Sequence, residues 1–243
     1  MLRQSSSFID MLGFVFTKDS NSKLFVSVAW AVWNRRNNLR LGKSEVPLNQ
    51  LLQLAKERLQ ECESLTVSPL GCHPQQSQAA WTPPSTSCFK VNFDGATIEK
   101  EGSAGLGVVI RNGDGQVMAS LSQLVPLPHS VIEVEALAAR RGVELALELS
   151  FYNIELEGDS TGLISSLNDG HRSLAQYGHI VTDIHYLASQ FFVFNLFHVR
   201  RHCNKVAHSL ARRALISSPL SIWMEDVPPN VTHVLHADLS TLP

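Results

Sequence analysis

The stretch "KVNFDGATIEKEGSAGLGVVI", residues 90–110, decides how the chain folds. Together with Phe89, its opening alternates: Val91 and Phe93 share one face of a strand, Asn92 and Asp94 the other, because successive strand side chains point to opposite faces. "AGLGVVIR", 104–111, reads as a second strand. "NGDG", 112–115, is a tight-turn signal, since Asn and Gly tolerate positive φ. "QVMASLSQLV", 116–125, then reads as a third strand, completing an antiparallel meander. Asp94 closes the apolar end of the first strand, where a charge needs a reason to be.

The elements that follow alternate. Residues 130–150, "SVIEVEALAARRGVELALELS", carry Val131, Val134, Ala138, Leu145 and Leu149 at helical spacing. "NIELEGDS", 153–160, is a fourth strand, 160–190 a helical region, "FFVFNLFHV", 191–199, a fifth strand, and "NKVAHSLARRAL", 204–215, a last helix. This order predicts a mixed-sheet α/β domain over 89–215. Before it, residues 1–63 read as a helical extension, with Leu48, Leu51, Leu52 and Ala55 at helical spacing. Residues 64–88, rich in Pro, Gln and Ser, read as a linker. Residues 216–243 read as a short tail in which "VPPN" blocks regular structure.

The 243 residues are 44% hydrophobic and 17% charged, with a formal net charge of −2, so global charge names no partner. Local charge is more informative. No acid occurs from Ile184 to Met224, whereas Arg200, Arg201, Lys205, Arg212 and Arg213 all do. The four cysteines form no C-x-x-C pair, which argues against a disulfide framework or zinc ribbon and for reduced thiols in an intracellular protein of nucleus or cytoplasm. The Ser-rich, acid-free opening "MLRQSSSFI" has the composition of an organelle transit peptide. "LFVSVAWAVW", 24–33, is too short to span a bilayer, so no membrane association is expected.

Sites in α/β sheets lie beyond strand ends. Asp94 ends the first strand and Asp159 the fourth. If those strands are parallel neighbours, the two carboxylates converge and repel unless a cation sits between them. Mg²⁺, which takes hard oxygen ligands, suits such a pair. The helix between them offers Glu133 and Glu135. "S-V-I-E", 130–133, is a capping box that gives Glu133 a structural role, so Glu135 is assigned to the site. Glu157 reads as a solvated or supporting acid.

"NFDGA", "AGLGVVIRNGDGQV", "VEALAA", "LEGDS" and "NKVAHSLA" stand in the order and spacing of the ribonuclease H type 1 family. More closely, the 89–215 region resembles the plant, retroelement-related branch of reverse-transcriptase-like RNase H domains. The resemblance implies a five-stranded mixed sheet flanked by helices. It also implies an endonuclease that cuts the RNA strand of RNA–DNA hybrids with two Mg²⁺ or Mn²⁺ ions. Asp94, Glu135 and Asp159 fall on the family's first three metal-holding carboxylates, and His208 stands where the fourth is expected. His198 or His202 lies where the family often carries a histidine that assists proton transfer. Gly95, Arg200, Arg201, Asn204 and Lys205 are the expected nucleic-acid contacts. The glycines Gly95, Gly102, Gly105 and Gly107 serve either sugar-phosphate approach or close packing. Two other readings stand beside the nuclease: a catalytically weak or inactive nucleic-acid-binding module, favoured by His208, and a protein-interaction domain that uses Trp30 and Trp33.

Overall fold

The 90–110 stretch folds into two strands of the meander because its alternation buries both faces. A computed structural model describes residues 19–40, 47–64, 80–85, 87–169, 176–217 and 219–240. The transit-peptide reading and most of the expected linker lie outside them. The chain divides into two compact units, Met1–Val67 and Ser68–Pro243.

In the first unit, helix α1 (Asp19–Arg40) packs on helix α2 (Leu51–Ser64) through Val28, Ala31, Leu51 and Ala55. Ser27 Oγ donates to the Ala55 carbonyl at 2.9 Å. Leu48 and Leu52, expected on the same stripe, are exposed. Leu48 lies in a 3₁₀ turn ahead of the helix, and Leu52 is turned about 100° from Leu51. No helix among the described residues is long and apolar enough to cross a membrane.

The second unit opens with β1 (Phe89–Ile98), β2 (Ser103–Arg111) and β3 (Val117–Pro126), paired antiparallel with Asp94 opposite Gly107. In the β2–β3 turn Asn112 Oδ1 accepts from the Asp114 and Gln116 N–H groups at 3.0 and 2.9 Å, and Gly115 takes φ +78°. Helix α3 (Val131–Glu148) is capped by Ser130, whose Oγ accepts from Glu133 N–H at 3.3 Å. The Glu133 carboxylate takes the N–H of His129, one residue before the cap. Strand β4 (Asn153–Gly158), helices α4 (Thr161–Asn168) and α5 (Gly178–Ala188), strand β5 (Val193–His198) and helix α6 (Lys205–Ala214) follow. β4 runs parallel to both β1 and β5.

The sheet has six strands, in the order β5-β4-β1-β2-β3-β6, not five. The sixth, β6 (Leu220–Met224), pairs antiparallel with β3, and helix α7 (Thr232–Leu239) follows "VPPN". The two prolines therefore separate two elements instead of ending structure. Their burial shows why: Val227 and Val231 join Val109, Val206 and Leu210 in one apolar cluster.

α3 covers one face of β1 and β2 and α6 covers the other. The α6 face is close-packed because Gly105 and Gly107 lack side chains. A Cβ on either would overlap backbone of Ala207 or Ala211 in α6. These two glycines therefore serve packing, and Gly102 serves a turn at φ +59°.

On the same face lies a buried ionic network. Arg111 is fully buried, bonds Asp238 of α7 and Asn92 of β1 at 3.0 Å each, and stacks on Trp81 with its Cζ 3.5 Å from the ring centroid. Asn92 Nδ2 donates to Glu157 at 3.0 Å, and Lys90 pairs with Glu157 at 2.7 Å. Glu157 is thus neither solvated nor free: Lys90 and Asn92 hold it at the sheet's centre. Trp81, placed in the linker by composition, is 2% exposed and donates Nε1–H to Asn92 at 3.1 Å. The packed unit therefore reaches back past Phe89 at least to Trp81.

Removing one member of a buried pair leaves the other charge uncompensated, which typically costs 3–5 kcal/mol. Because Arg111 keeps Asn92 and Trp81, Asp238→Ala should destabilise the second unit by about 3 kcal/mol, at the low end of that range. Urea unfolding measures this, and an unchanged midpoint would show that α7 is not anchored by the pair.

Candidate active site

β1 runs on to Ile98, so Asp94 lies within the strand and does not end it as the sequence suggests; its side chain points to the α6 face with those of Lys90 and Asn92. β1 pairs with β4 in parallel, with Asn92 level with Glu157. Two residues further on, Asp94 and Asp159 emerge side by side. Glu135 comes from the first turns of α3, whose start crosses above Gly95. A Cβ at Gly95 would sit 2.8 Å from Val134 Cγ1, so this glycine lets α3 approach β1.

Asp94, Glu135 and Asp159 each offer a carboxylate oxygen, and these oxygens lie within 4.8 Å of one another. Among the described residues this is the one group of three or more such side chains. Asp94 and Glu135 are buried and Asp159 is half-buried. Burial pushes the Glu135 carboxyl up to about 9, reinforced by the Asp94 and Asp159 charges and opposed by the Gly95 N–H and Arg201. Glu135 Oε2 is buried without a hydrogen-bond partner. Burial also raises Asp94, opposed by its bond to His208 and reinforced by Asp159.

α6 supplies the fourth side of the site. His208 Nδ1 lies 2.7 Å from Asp94 Oδ2. With the carboxylate ionised, the imidazole N–H donates, because a carboxylate only accepts. Asn204, at the start of α6, donates Nδ2–H to the Phe93 carbonyl at 2.7 Å. That bond fixes α6 one residue away from Asp94. Asn204 is 1% exposed, so the expected nucleic-acid contact is replaced by a positioning bond. His198 Nε2 lies 3.0 Å from Thr161 Oγ1 and 3.2 Å from the Asp159 carbonyl, tethering the turn that carries Asp159. His202 is exposed.

The carboxylates open into a cleft of about 990 Å³ that Gly95, Ile132, Ser160, Arg201, His208 and Arg212 also line. Arg200, Arg201 and Lys205 are exposed around the start of α6. Three carboxylates, one with a buried unpaired oxygen, are a poor arrangement alone and a good one around a hard cation. The residues present fit a divalent metal ion.

The reverse transcriptase-like family model matches residues 92–214, the span from β1 to the end of α6. The chain belongs to this family. Its fold is RNase H-like. RNase H1 from the halophilic archaeon Halobacterium salinarum superimposes with a TM-score of 0.50 at 27% identity, covering 54% of this chain and 98% of that one. The N-terminal RNase H domain of a Mycobacterium tuberculosis protein matches at 23% identity with a TM-score of 0.49, covering 53% of this chain and 93% of its own. An Arabidopsis thaliana protein named "Putative ribonuclease H protein" is 27% identical over 158 residues. Those residues make up 65% of this chain but a quarter of that relative's length.

Glu135 makes the site's stability depend on pH. Its carboxyl sits near 9 in the folded protein and about 4.3 when unfolded. Between these values the unfolded chain binds fewer protons, so stability falls as pH rises, by at most about 1.4 kcal/mol per pH unit for one group. In EDTA the protein should therefore lose stability between pH 5 and pH 9, and Glu135→Gln should flatten that decline. Parallel pH profiles for parent and variant would remove Glu135 from the electrostatic centre.

Proposed function

We propose that this chain is a metal-dependent endonuclease that hydrolyses the RNA strand of RNA–DNA hybrids. The observation that carries the reading is Glu135: buried, with one carboxylate oxygen unpaired, and within 4.8 Å of Asp94 and Asp159. Family membership and the RNase H-like fold support the substrate class.

Asp94, Glu135 and Asp159 would hold Mg²⁺ or Mn²⁺. A bound ion supplies Lewis-acid stabilisation of phosphate charge and lowers the pKa of water at neutral pH. The chain's own residues do the rest. Glu135 and Asp159 fix the ion's position from α3 and the β4 end. His198 holds the Asp159 turn in place through that residue's carbonyl. Arg201 and Arg212 in the cleft, with Arg200 and Lys205 beside it, meet the phosphate backbone. The hybrid is read by shape and 2′-OH contacts, since an A-like major groove is too narrow for side chains to read.

A second reading is a binding module with little turnover. His208 favours it, because an imidazole bonded to Asp94 stands where the resemblance calls for a carboxylate.

The test is cleavage of a labelled RNA–DNA hybrid in Mg²⁺ or Mn²⁺, beside binding in EDTA. Cleavage that EDTA stops supports the nuclease; binding without cleavage supports the module. Losing a supporting residue costs metal sites 10–100-fold, so Asp94→Asn, which loses a ligand, should cut turnover by at least about 100-fold. Unchanged turnover would take Asp94 out of the mechanism. Each phosphate contact adds about one to the salt dependence of binding. Arg200→Ala and Arg201→Ala should each lower the slope of log K against log salt by about 1. A slope that stays put in both variants places the hybrid elsewhere.

A further inference from the structure

We infer that this site holds one divalent ion and that His208 closes the place of a second. The inference rests on the metal reading above and concerns its stoichiometry.

Two ions that act together on one phosphodiester sit about 3.5–4 Å apart. A carboxylate between them that gives an oxygen to each holds such a pair in the protein, and further ligands complete the second ion's shell. Asp94 is the carboxylate in that position. It belongs to the acidic cluster on one side and touches α6 on the other. Its Oδ2 is already engaged by His208 Nδ1 at 2.7 Å. One lone pair of that oxygen is already taken by the imidazole N–H, and a second ion on Oδ2 would crowd the ring.

α6 offers nothing in return. The chain carries no acid from Ile184 to Met224, so neither α6 nor the loop before it has a carboxylate to turn into the cleft. The groups it does place there are His208, Ser209, Arg212 and Arg213, with Arg201 on the rim. Mg²⁺ prefers hard oxygen ligands in a near-ideal octahedron and gives up its waters reluctantly. From α6 a second ion would meet arginine charges and the single neutral hydroxyl of Ser209. The first ion has the opposite surroundings. Glu135 Oε2 is buried and unpaired, and the Asp94 and Asp159 carboxylates would complete its protein ligands.

The geometry of α6 keeps this arrangement in place. Asn204 ties the helix start to the Phe93 carbonyl. Gly105 and Gly107 let the helix lie against β2 without a spacer. His208 therefore cannot swing away from Asp94 by moving its helix; it would have to change rotamer and leave Asp94 Oδ2 without its partner.

Two Mn²⁺ ions at such a separation share a bridging ligand and give an exchange-coupled signal in electron paramagnetic resonance, distinct from that of a single ion. The full chain would be titrated with Mn²⁺ alone and with a saturating RNA–DNA hybrid whose RNA strand is 2′-O-methylated and so not cleaved. The parent should bind one ion in the cluster and show no coupled pair in either condition. His208→Asp, which supplies a carboxylate in place of the imidazole, should bind two ions and show the coupled pair with the hybrid present. His208→Asn, which removes the imidazole without adding charge, should stay at one. Thermal unfolding of each variant in EDTA establishes that it is folded. A coupled pair in the parent overturns the inference whatever the variants do. So does a folded His208→Asp protein that stays at one ion with the hybrid bound. A parent that binds no Mn²⁺ at the cluster overturns the metal reading itself, and is recognised because Glu135→Gln then leaves the titration unchanged.

Discussion

The parallel pairing of β1 with β4 is the constraint on which the site depends. β1 is the one strand with an antiparallel neighbour on one side and a parallel neighbour on the other. Only the parallel partner ends at the same edge of the sheet and in the same direction. That brings Asp94 and Asp159 out together, each two residues beyond the paired Asn92 and Glu157. The antiparallel side has a different use. There Gly107 stands opposite Asp94 and leaves room for α6 to approach and place His208 on the carboxylate. One strand therefore collects its site residues by two kinds of pairing.

The same face of β1 carries Lys90, Asn92 and Asp94, and the three differ in what burial requires of them. Lys90 and Asn92 are satisfied within the protein, by Glu157, Arg111 and Trp81. Asp94 is only half satisfied, by His208. A buried network that is complete acts as scaffold, whereas a cluster with an unpaired oxygen and a carboxyl raised to about 9 stores an electrostatic cost. The cost persists because the scaffold is stiff. Lys90, Glu157 and Asn92 fix β1 against β4 two residues below the acids, so the carboxylates cannot relax apart. Perturbed carboxyl groups in a cleft are a mark of function for this reason.

Much of this was legible in the chain. Alternation around Asp94 and Asp159, the Asn-Gly turn and the Ser130 cap are local signals, and each lies within a few residues of what it specifies. The choice of Glu135 over Glu133 was legible as well, because Glu133 has a partner at the helix start. What the pattern does not reveal has partners far away in sequence. Arg111 reads as a charge at a strand end, yet its partner Asp238 lies 127 residues on. Trp81 sits among prolines and polar residues that look like linker, and only the fold places Arg111 beneath it. β6 is short and its outward Leu220, Ile222 and Met224 are partly exposed, so its period of two was masked by the prolines that follow. Asn204 reads as a nucleic-acid contact at the head of a basic helix; its Nδ2–H instead fastens that helix to the sheet.

His208 joins these threads. A carboxylate at its position would add a further negative charge to a cluster that already holds Glu135 mostly protonated at neutral pH. Without a second cation, such a residue would raise Glu135 and Asp94 further and weaken the packing of α6. An imidazole has the reverse effect: it donates to Asp94, opposes the rise of that carboxyl, and lets α6 close on the sheet without any ion in place. On the proposed metal reading, the residue therefore exchanges capacity for metal against stability of the ion-free cluster. That exchange explains how a helix with no acid can pack over three carboxylates, two of them buried, and why the basic residues Arg201 and Arg212 can share their cleft. In the proposed nuclease, positive charge would come from the protein on the α6 side and from a cation on the α3 side.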